Sequence, residues 1–459
     1  MTTGDPQLVA TSELSRSLLS RHVVMISIGG IIGAGLFVGS SAAIASVGPA
    51  VILSYCLAGL VVLVVMRMLS EMASATPGIG SFTEYIRLGL GDWAGFVSGW
   101  LYWYFWVVVV AIEAIAGASI LSEWIALPQW QIVLALMLLL TGVNLLSSRS
   151  YGEFEFWFSS IKVAAIVVFI LIAGAYALGL TSPAGPTFAN LYSHGGFAPF
   201  GWRAVLAGMT TVVFSLCGAE IATIAAVESR EPARVISRMT VSISMRILLF
   251  YVLSILLIVA VVPWTEIKSG GSPFAVALEH THIPGAATIM KVIVLVAVLS
   301  CLNSGLYVTS RVLFTLAAKG DAPLSMVTLN ARRVPARAIL IGTSFGYVAV
   351  LLSMFWRDAV FSFLLNASGA LMIVIYLLAC LAHIRLRQRF ERSDPQRLTI
   401  KVWLFPYLSW ATVVAMIGVL VAMAFTPTLK SDFYASLACV VVVAVAYALR
   451  SRSRSGAPR

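Results

Sequence analysis

Two apolar stretches decide the fold of this chain: IGGIIGAGLF, from Ile28 to Phe37, and FSLCGAEIAT, from Phe214 to Thr223. Each places glycine or small polar residues where a membrane helix would cross the middle of a bilayer. Glycine costs about 1 kcal/mol per residue inside a helix, and non-helical backbone at this depth persists only where it lines a cavity or is buried in protein. Two such breaks in corresponding positions are typical of the substrate site of a secondary transporter.

The composition is that of a protein embedded in lipid. Of the 459 residues, 60% are hydrophobic and only 11% are charged, whereas about a quarter of the residues of a soluble domain are charged. The mean hydropathy is +0.97. These values predict an all-α polytopic membrane protein whose main partner is the lipid bilayer.

The net charge of +11 raises the question of nucleic-acid binding. The basic residues form short clusters between apolar spans rather than one basic face or a known motif, so no nucleic-acid partner is predicted. The cysteines lack the spacing of a metal site, and we expect them to be reduced packing residues and the protein to hold no metal. They are Cys56, Cys217, Cys301, Cys380 and Cys439.

Apolar runs of about 20 residues, the length that crosses about 30 Å of hydrocarbon, predict about twelve transmembrane helices. The predicted spans are 22–46, 49–72, 94–122, 128–147, 155–180, 203–227, 240–262, 286–318, 336–355, 359–384, 401–425 and 432–450. If the N-terminus is cytoplasmic, only about five of the 30 Lys and Arg residues fall on the opposite side of the membrane. The positive-inside rule then places both termini in the cytoplasm.

The broken spans are the first and the sixth, so five helices separate one from the other. Because an odd number of crossings lies between them, the second five-helix unit enters the membrane from the opposite side, and an inverted repeat is predicted. The predicted parts are a cytoplasmic N-terminal tail (1–20), a first repeat (21–182), a second repeat (203–385), a basic cytoplasmic loop (386–400), helices 11 and 12 (401–450) and a cytoplasmic tail (451–459).

The break in the first helix is the predicted carboxylate site. Freed amide groups and the positive end of a half-helix attract a carboxylate, and glycines let the substrate approach the backbone. The alternative is that Gly29 and Gly33 form a GxxxG packing face. The predicted binding residues are Gly30, Ile31, Ile32, Gly33, Ala34 and Gly35.

The break in the sixth helix is the predicted ammonium site, since freed carbonyl oxygens attract a cation. An intramembrane carboxylate, here Glu220, is a functional candidate by default. The alternative is that Glu220 is a buried residue that holds the broken helix by hydrogen bonds. The predicted binding residues are Ser215, Cys217, Gly218, Ala219 and Glu220.

Isolated charges inside other spans are further candidates. Lys162 lies about 12 Å inside the fifth span, and a buried ammonium readily changes its protonation; it is a candidate proton carrier or a replacement for a sodium ion, unless it snorkels to the interface. Glu113 in the third span either meets a substrate ammonium or pairs with a neighbouring helix. Arg67 and Glu71, spaced i,i+4, are predicted to form a structural pair.

Enzyme signals are weak throughout. The chain has no HExxH motif, its GIIGAG does not follow the Rossmann spacing, and no Walker-type GxxxxGK[ST] occurs. We therefore predict that the protein is not an enzyme, needs no cofactor and is not driven by ATP.

Six stretches run nearly end to end along the chain: RHVVMISIGGIIGAGLFVGS (21–40), MRMLSEM (66–72), WAGFVSGWLYWYFW (93–106), GEFEFWFSSIK (152–162), FSLCGAEI (214–221) and SCLNSGLYVTSR (300–311). Together they resemble bacterial amino acid permeases of the amino acid transporter family, within the amino acid, polyamine and organocation (APC) superfamily. The resemblance implies two inverted five-helix repeats of the leucine-transporter (LeuT) type and proton-coupled uptake across the bacterial cytoplasmic (inner) membrane. It implies carboxylate binding at Ile31 to Gly35, amine binding near Ser215 to Glu220, and proton coupling on Lys162.

Within that family the chain is most similar to 4-aminobutyrate (GABA) permeases, through AIEAIAG (111–117), EIATIAA (220–226) and SCLNSGLY (300–307). Two positions depart from the usual pattern: Cys217 stands where such permeases often carry Met, and Ala222 where Val is common. The expected activity is symport of protons with GABA or a related ω-amino acid. The alternatives are transport of alanine, proline or other α-amino acids, amino acid exchange, or amino acid sensing without transport.

Overall fold

The computed structural model describes residues 31–76, 81–145, 148–218, 220–221, 249–330, 334–353 and 357–455. Within them the chain forms fourteen α-helices joined by short turns. Their bounds are α1 Ser40–Val47, α2 Val51–Ala75, α3 Phe82–Leu90, α4 Asp92–Leu121, α5 Gln129–Asn144, α6 Ser148–Ala177, α7 Gly201–Leu216, α8 Leu249–Val261, α9 Pro273–His280, α10 Ala286–Ala318, α11 Ala336–Ser353, α12 Arg357–Ser393, α13 Tyr407–Phe425 and α14 Lys430–Ser455.

The described helices include seven segments long and apolar enough to cross a membrane and three shorter apolar helices. Each of the twelve spans predicted from the sequence overlaps a described helix. The first segment, Gly35–Ala75, contains parts of two predicted spans. These spans meet at Gly48, whose φ of +74° is a conformation that glycine adopts readily.

Helices α4 and α10 pack along each other at the centre of the molecule. Burial of apolar surface does not drive helix association in lipid, so close packing through small residues contributes instead. A Cβ atom at Gly305 of α10 would lie 2.8 Å from a methyl of Val110 on α4. At Gly99 of α4 it would lie 2.7 Å from a methyl of Leu316. The glycines therefore let the two helix backbones approach closely.

Helix α14 lies at the periphery. Its best spanning window is only 11% buried within the protein, and it exposes large apolar side chains such as Val441, Val442 and Leu449. A contiguous apolar face of this kind suits contact with lipid. The core helices and the outer helices thus differ in how many of their faces the protein covers.

Both breaks are visible in the backbone. A π-helical turn, Gly35–Gly39, precedes α1, and residues 32–33 before it form a bend. Helix α7 ends at Leu216, after which Cys217 is extended and Gly218 has a φ of +119°. The helices therefore stop where the sequence places its glycine and small polar residues.

Two short helices were not predicted from the sequence. Helix α3 lies between α2 and α4, and α9 lies between α8 and α10. Each has one buried side, formed in α3 by Phe82, Tyr85 and Ile86. They were missed because nine and eight residues are too few for the length criterion that selects spans.

The expected pair between Arg67 and Glu71 does not form. Glu71 pairs with Arg387, at 2.6 Å, and with His383, at 3.3 Å, whereas Arg67 donates hydrogen bonds to the Lys401 carbonyl oxygen. Tertiary packing of α12 against α2 provides a better buried partner than the i,i+4 neighbour. The segment 386–400, predicted as a basic loop, continues α12 to Ser393 and then forms the 3₁₀ turn Pro395–Arg397.

Candidate functional site

The two breaks touch each other near the middle of the molecule. The Ser215 hydroxyl donates a hydrogen bond of 2.7 Å to the Gly35 carbonyl oxygen. A Cβ atom at Gly35 would lie 2.8 Å from the Ser215 Cα atom, which is backbone and cannot rotate away. Glycine at position 35 therefore permits the contact between the π-helical turn and the end of α7.

Side chains from α4 and α8 satisfy the backbone groups freed by the first break. Both oxygens of the Glu113 carboxylate accept from the Ala34 amide, at 2.9 and 3.0 Å. The Tyr251 hydroxyl donates to the Ile31 carbonyl oxygen at 2.8 Å. Both side chains are almost fully buried. The first break thus presents an amide that binds a carboxylate, and in this conformation the carboxylate is the protein's own.

A small cavity lies where the breaks meet. The centre of a water molecule can occupy only about 10 Å³ of it, which is room for about one water. A bound amino acid would therefore require the lining side chains to move apart. The lining residues are Ile31, Gly35, Phe105, Trp106, Val109, Glu113, Phe214, Cys217 and Cys301.

The predicted residues of the first break take different positions around this cavity. Ile31 and Gly35 line it, and Ile32 and Ala34 are buried beside it. Gly33 is clamped: a Cβ atom there would lie 2.6 Å from both the Cys301 sulfur and a Glu113 oxygen. Gly30 lies outside the described residues, as does Gly29 of the alternative GxxxG motif.

The predicted residues of the second break divide in the same way. Cys217 lines the cavity and its thiol donates to the Val213 carbonyl oxygen at 3.0 Å. The Ser215 hydroxyl, as described above, faces Gly35. Gly218 provides the positive φ at the turn. Ala219 lies outside the described residues.

Glu220 is held inside the protein rather than at the cavity. Its carboxylate accepts from the Gly218 amide at 3.1 Å, from the Tyr102 hydroxyl at 3.2 Å and from the Tyr376 hydroxyl at 2.9 Å. Glu220 is not one of the described residues that line the cavity. This geometry agrees with the structural alternative, in which Glu220 ties the broken helix to α4 and α12.

Lys162 is fully buried on α6, with its Nζ atom 3.8 Å from Glu155 Oε1. Its exposed fraction of 0% does not agree with snorkelling to an interface. The positive charge lies near enough to act on both Glu113 and Cys301. The structure therefore brings Lys162 into the electrostatic surroundings of the first break.

Several site residues were missed in the sequence. Glu155 precedes Lys162 by seven residues, two turns of the same helix face, and that spacing could have revealed it. Tyr102, Tyr251 and Tyr376 read as apolar packing residues, because a pattern of apolar positions does not show which hydroxyl has a polar partner. Trp106 also lines the cavity, and its place within an apolar run gave no sign of this.

The geometry is that of a transporter whose broken helices meet at a small central site, and comparison with known proteins supports this class. The chain belongs to the amino acid permease family, whose model matches residues 22–454. It is therefore a multi-pass membrane transporter and not an enzyme.

Among its relatives is a gamma-aminobutyric acid permease of Bacillus subtilis, 46% identical over 438 residues, 95% of this chain and 93% of the relative. That of Escherichia coli is 45% identical over 420 residues, 90% of each chain. An aromatic amino acid transport protein of Corynebacterium glutamicum is 38% identical over 92% of each chain. In fold the chain is similar to a manganese transporter of Eremococcus coleocola, with a TM-score of 0.53, 14% identity and coverage of 95% and 94%.

Proposed function

We propose that this permease imports GABA or a related ω-amino acid together with protons, across a bacterial cytoplasmic membrane and with both termini in the cytoplasm. The observation that carries the proposal is the Ala34 amide paired with the Glu113 carboxylate at the edge of the cavity. An amide that already holds one carboxylate is suited to holding another. The identity of 45–46% to two GABA permeases supports the choice of substrate.

We propose that the substrate carboxylate replaces Glu113 at the Ala34 amide. The Glu113 carboxylate, released from the backbone, then meets the substrate ammonium. GABA separates its two charges by three methylene groups, so its ammonium reaches past the backbone carbonyls that would hold an α-amino group. The cavity widens as the substrate enters. Phe105 of α4 and Phe214 of α7 line it from two different helices and would move apart.

The proposed architecture has twelve transmembrane helices, of which the first ten form two inverted repeats (21–182 and 203–385) and the last two lie outside them. The short helices α3 and α9 support this division, because each follows the second helix of its proposed repeat. The fold similarity to the manganese transporter agrees with it.

Uptake of labelled GABA into proteoliposomes tests this function. We expect accumulation when the outside is acidic and little accumulation when the pH is equal on both sides. Unlabelled β-alanine should compete better than alanine or proline. Stronger competition by alanine or proline would favour an α-amino acid permease, and uptake that requires amino acid inside the vesicle would show an exchanger.

A further inference from the structure

A second buried carboxylate, Glu155, lies beside Lys162 and is not one of the residues that line the cavity. Glu155 Oε1 accepts a hydrogen bond of 2.5 Å from the Ser300 hydroxyl and one of 3.2 Å from Ser159, and it lies 3.8 Å from Lys162 Nζ. Glu155 and Lys162 are both 0% exposed.

Helix α10 connects this carboxylate with Glu113. Its neighbouring residues Ser300 and Cys301 point to the two acids: the Ser300 hydroxyl bonds Glu155, and the Cys301 thiol bonds Glu113. The positive charge of Lys162 acts on both carboxylates. Two acids and one base thus form one buried cluster, with Glu113 at the cavity and Glu155 away from it.

The charge of this cluster favours one additional proton. With both carboxylates ionised and Lys162 protonated, the net charge is −1. A buried net charge is strongly unfavourable, and one proton on either acid removes it. The cluster therefore has a place for a single exchangeable proton on two alternative carriers.

Few other ionisable side chains lie near Glu155 and Lys162 among the described residues. The ionisable groups facing Glu155 are Lys162 on its own helix and the Cys301 thiol on α10. Helix α5, which also packs on α6, has no ionisable residue. The remaining ionisable residues of the helices packed on α6 lie elsewhere: Glu279 and His280 of α9 at or near the surface, Lys291 of α10 paired with Glu123, and Arg311 of α10 stacked over Tyr307.

We propose that Glu155 is the second carboxylate of the proton-coupling site and receives the proton that Glu113 brings in from the cavity. This proposal rests on proton symport, the proposed function. In the proposed orientation α6 begins at the cytoplasmic side, and the Cα atom of Glu155 lies about 10 Å nearer to that side than the Cα atom of Lys162, at 1.5 Å per residue. Glu155 is thus placed to release the proton inward.

The transfer balances without any other reactant. An N–H bond of the Lys162 ammonium breaks as an O–H bond forms on Glu155. The O–H bond of protonated Glu113 then breaks as an N–H bond forms again on Lys162, so the cluster keeps zero net charge during the transfer. Glu155 finally loses its proton to cytoplasmic water. The Lys162–Glu155 pair needs to approach by about 1 Å, from 3.8 Å to hydrogen-bond distance.

The test compares Glu155→Gln with the wild type in proteoliposomes, with Glu123→Gln, on an exposed pair, as the matched control. Two rates are measured: accumulation of labelled GABA under an acid-outside gradient, and exchange of labelled for unlabelled GABA at equal pH. We expect Glu155→Gln to lose at least about a hundredfold in accumulation, the low end for removal of a positioned proton-transfer group, while exchange continues. A pH-sensitive dye should show GABA-dependent proton entry in the wild type and in Glu123→Gln, and none in Glu155→Gln.

Normal accumulation by Glu155→Gln would overturn the proposal, and an equal loss of exchange and accumulation would show a structural role. Ser300→Ala provides a second test, because it removes the 2.5 Å hydrogen bond but keeps the carboxylate; it should shift the pH profile of accumulation, and an unchanged profile would count against the proposal. A wild type that exchanges GABA without proton-driven accumulation would refute proton symport itself, and the role of Glu155 with it.

Discussion

At the scale of single residues, the site depends on positions where a methyl group does not fit. Gly33 lies between Glu113 and Cys301, and Gly35 lies against the α7 backbone. The sequence predicts that both glycines let a substrate approach the backbone. In the structure they also admit the protein's own elements, so the packing explanation and the binding explanation apply together.

Gly35→Ala should reduce GABA uptake by at least about fivefold, because its methyl group would meet the Ser215 Cα atom at 2.8 Å and overpacking costs about 1–3 kcal/mol. Gly418→Ala on α13 is the matched control, since no atom lies within 4 Å of the added methyl. Uptake is measured per amount of protein in the membrane. Equal uptake by the two variants would show that the two breaks need not touch.

Glu113→Gln should weaken GABA uptake more than uptake of any α-amino acid that the protein accepts. A hydrogen bond to a charged group contributes about 1.5–3 kcal/mol, which corresponds to about 10- to 100-fold in affinity. Competition curves for GABA and alanine measure the difference. An equal loss of affinity for both substrates would show that Glu113 does not contact the substrate ammonium.

At the scale of elements, the end of α7 is held by one acid. Glu220 accepts hydrogen bonds from the turn after α7, from α4 and from α12. The three donors fix the position of the turn that follows α7. Because Cys217 lines the cavity at the same turn, the position of this thiol depends on Glu220.

Tyr376→Phe should lower the thermal stability of the detergent-solubilised protein, since it removes a 2.9 Å hydrogen bond to a buried carboxylate worth about 1.5–3 kcal/mol. Tyr192→Phe, at a side chain that is 66% exposed, is the control. GABA affinity should change less than stability. A large loss of affinity at normal stability would instead place Glu220 in amine binding.

Some of these features could be predicted from the sequence and others could not. Glycine and small polar residues inside apolar runs identify both breaks, because few other residues are tolerated there. Helices α3 and α9 escape a search for long apolar runs. The partner of Glu71 escapes local spacing rules, since Arg387 is more than three hundred positions away. Contacts between distant elements, such as Ser300 with Glu155, require the folded chain.

At the scale of the whole molecule, charges from several elements join one end of the bundle, which is the cytoplasmic end in the proposed orientation. The Asp321 carboxylate, just after α10, pairs with Arg87 of α3 and with Arg450 of α14, the latter at 2.5 Å. Trp100 of α4 donates to the Asp321 carbonyl oxygen at 3.2 Å. Desolvation alone would lower the pKa of Arg87, but the charges of Glu84 and Asp321 outweigh it and raise the pKa, so Arg87 stays charged.

Asp321→Asn should make the cavity easier to reach from the inner side, because it removes the charge that joins α3 to α14. The measurement is the rate at which a thiol reagent labels Cys217 and Cys301 in inside-out vesicles, with the other three cysteines replaced. We expect labelling to be at least about threefold faster. A threefold change in rate corresponds to only a small part of the free energy that is lost when one partner of a buried ion pair is removed. Glu123→Gln, which breaks the exposed pair with Lys291, should leave the rate unchanged; the same rate in all three proteins would show that this cluster does not restrain opening.

The size of the central cavity also has a consequence for the cell's energy supply. A pore with a continuous file of water would let ions and small solutes run down their gradients. A cavity with room for about one water molecule interrupts that file. In this conformation the described residues leave no continuous file of water at the point where the breaks meet, so a cell without substrate outside could keep many copies in its membrane without ions draining through that point.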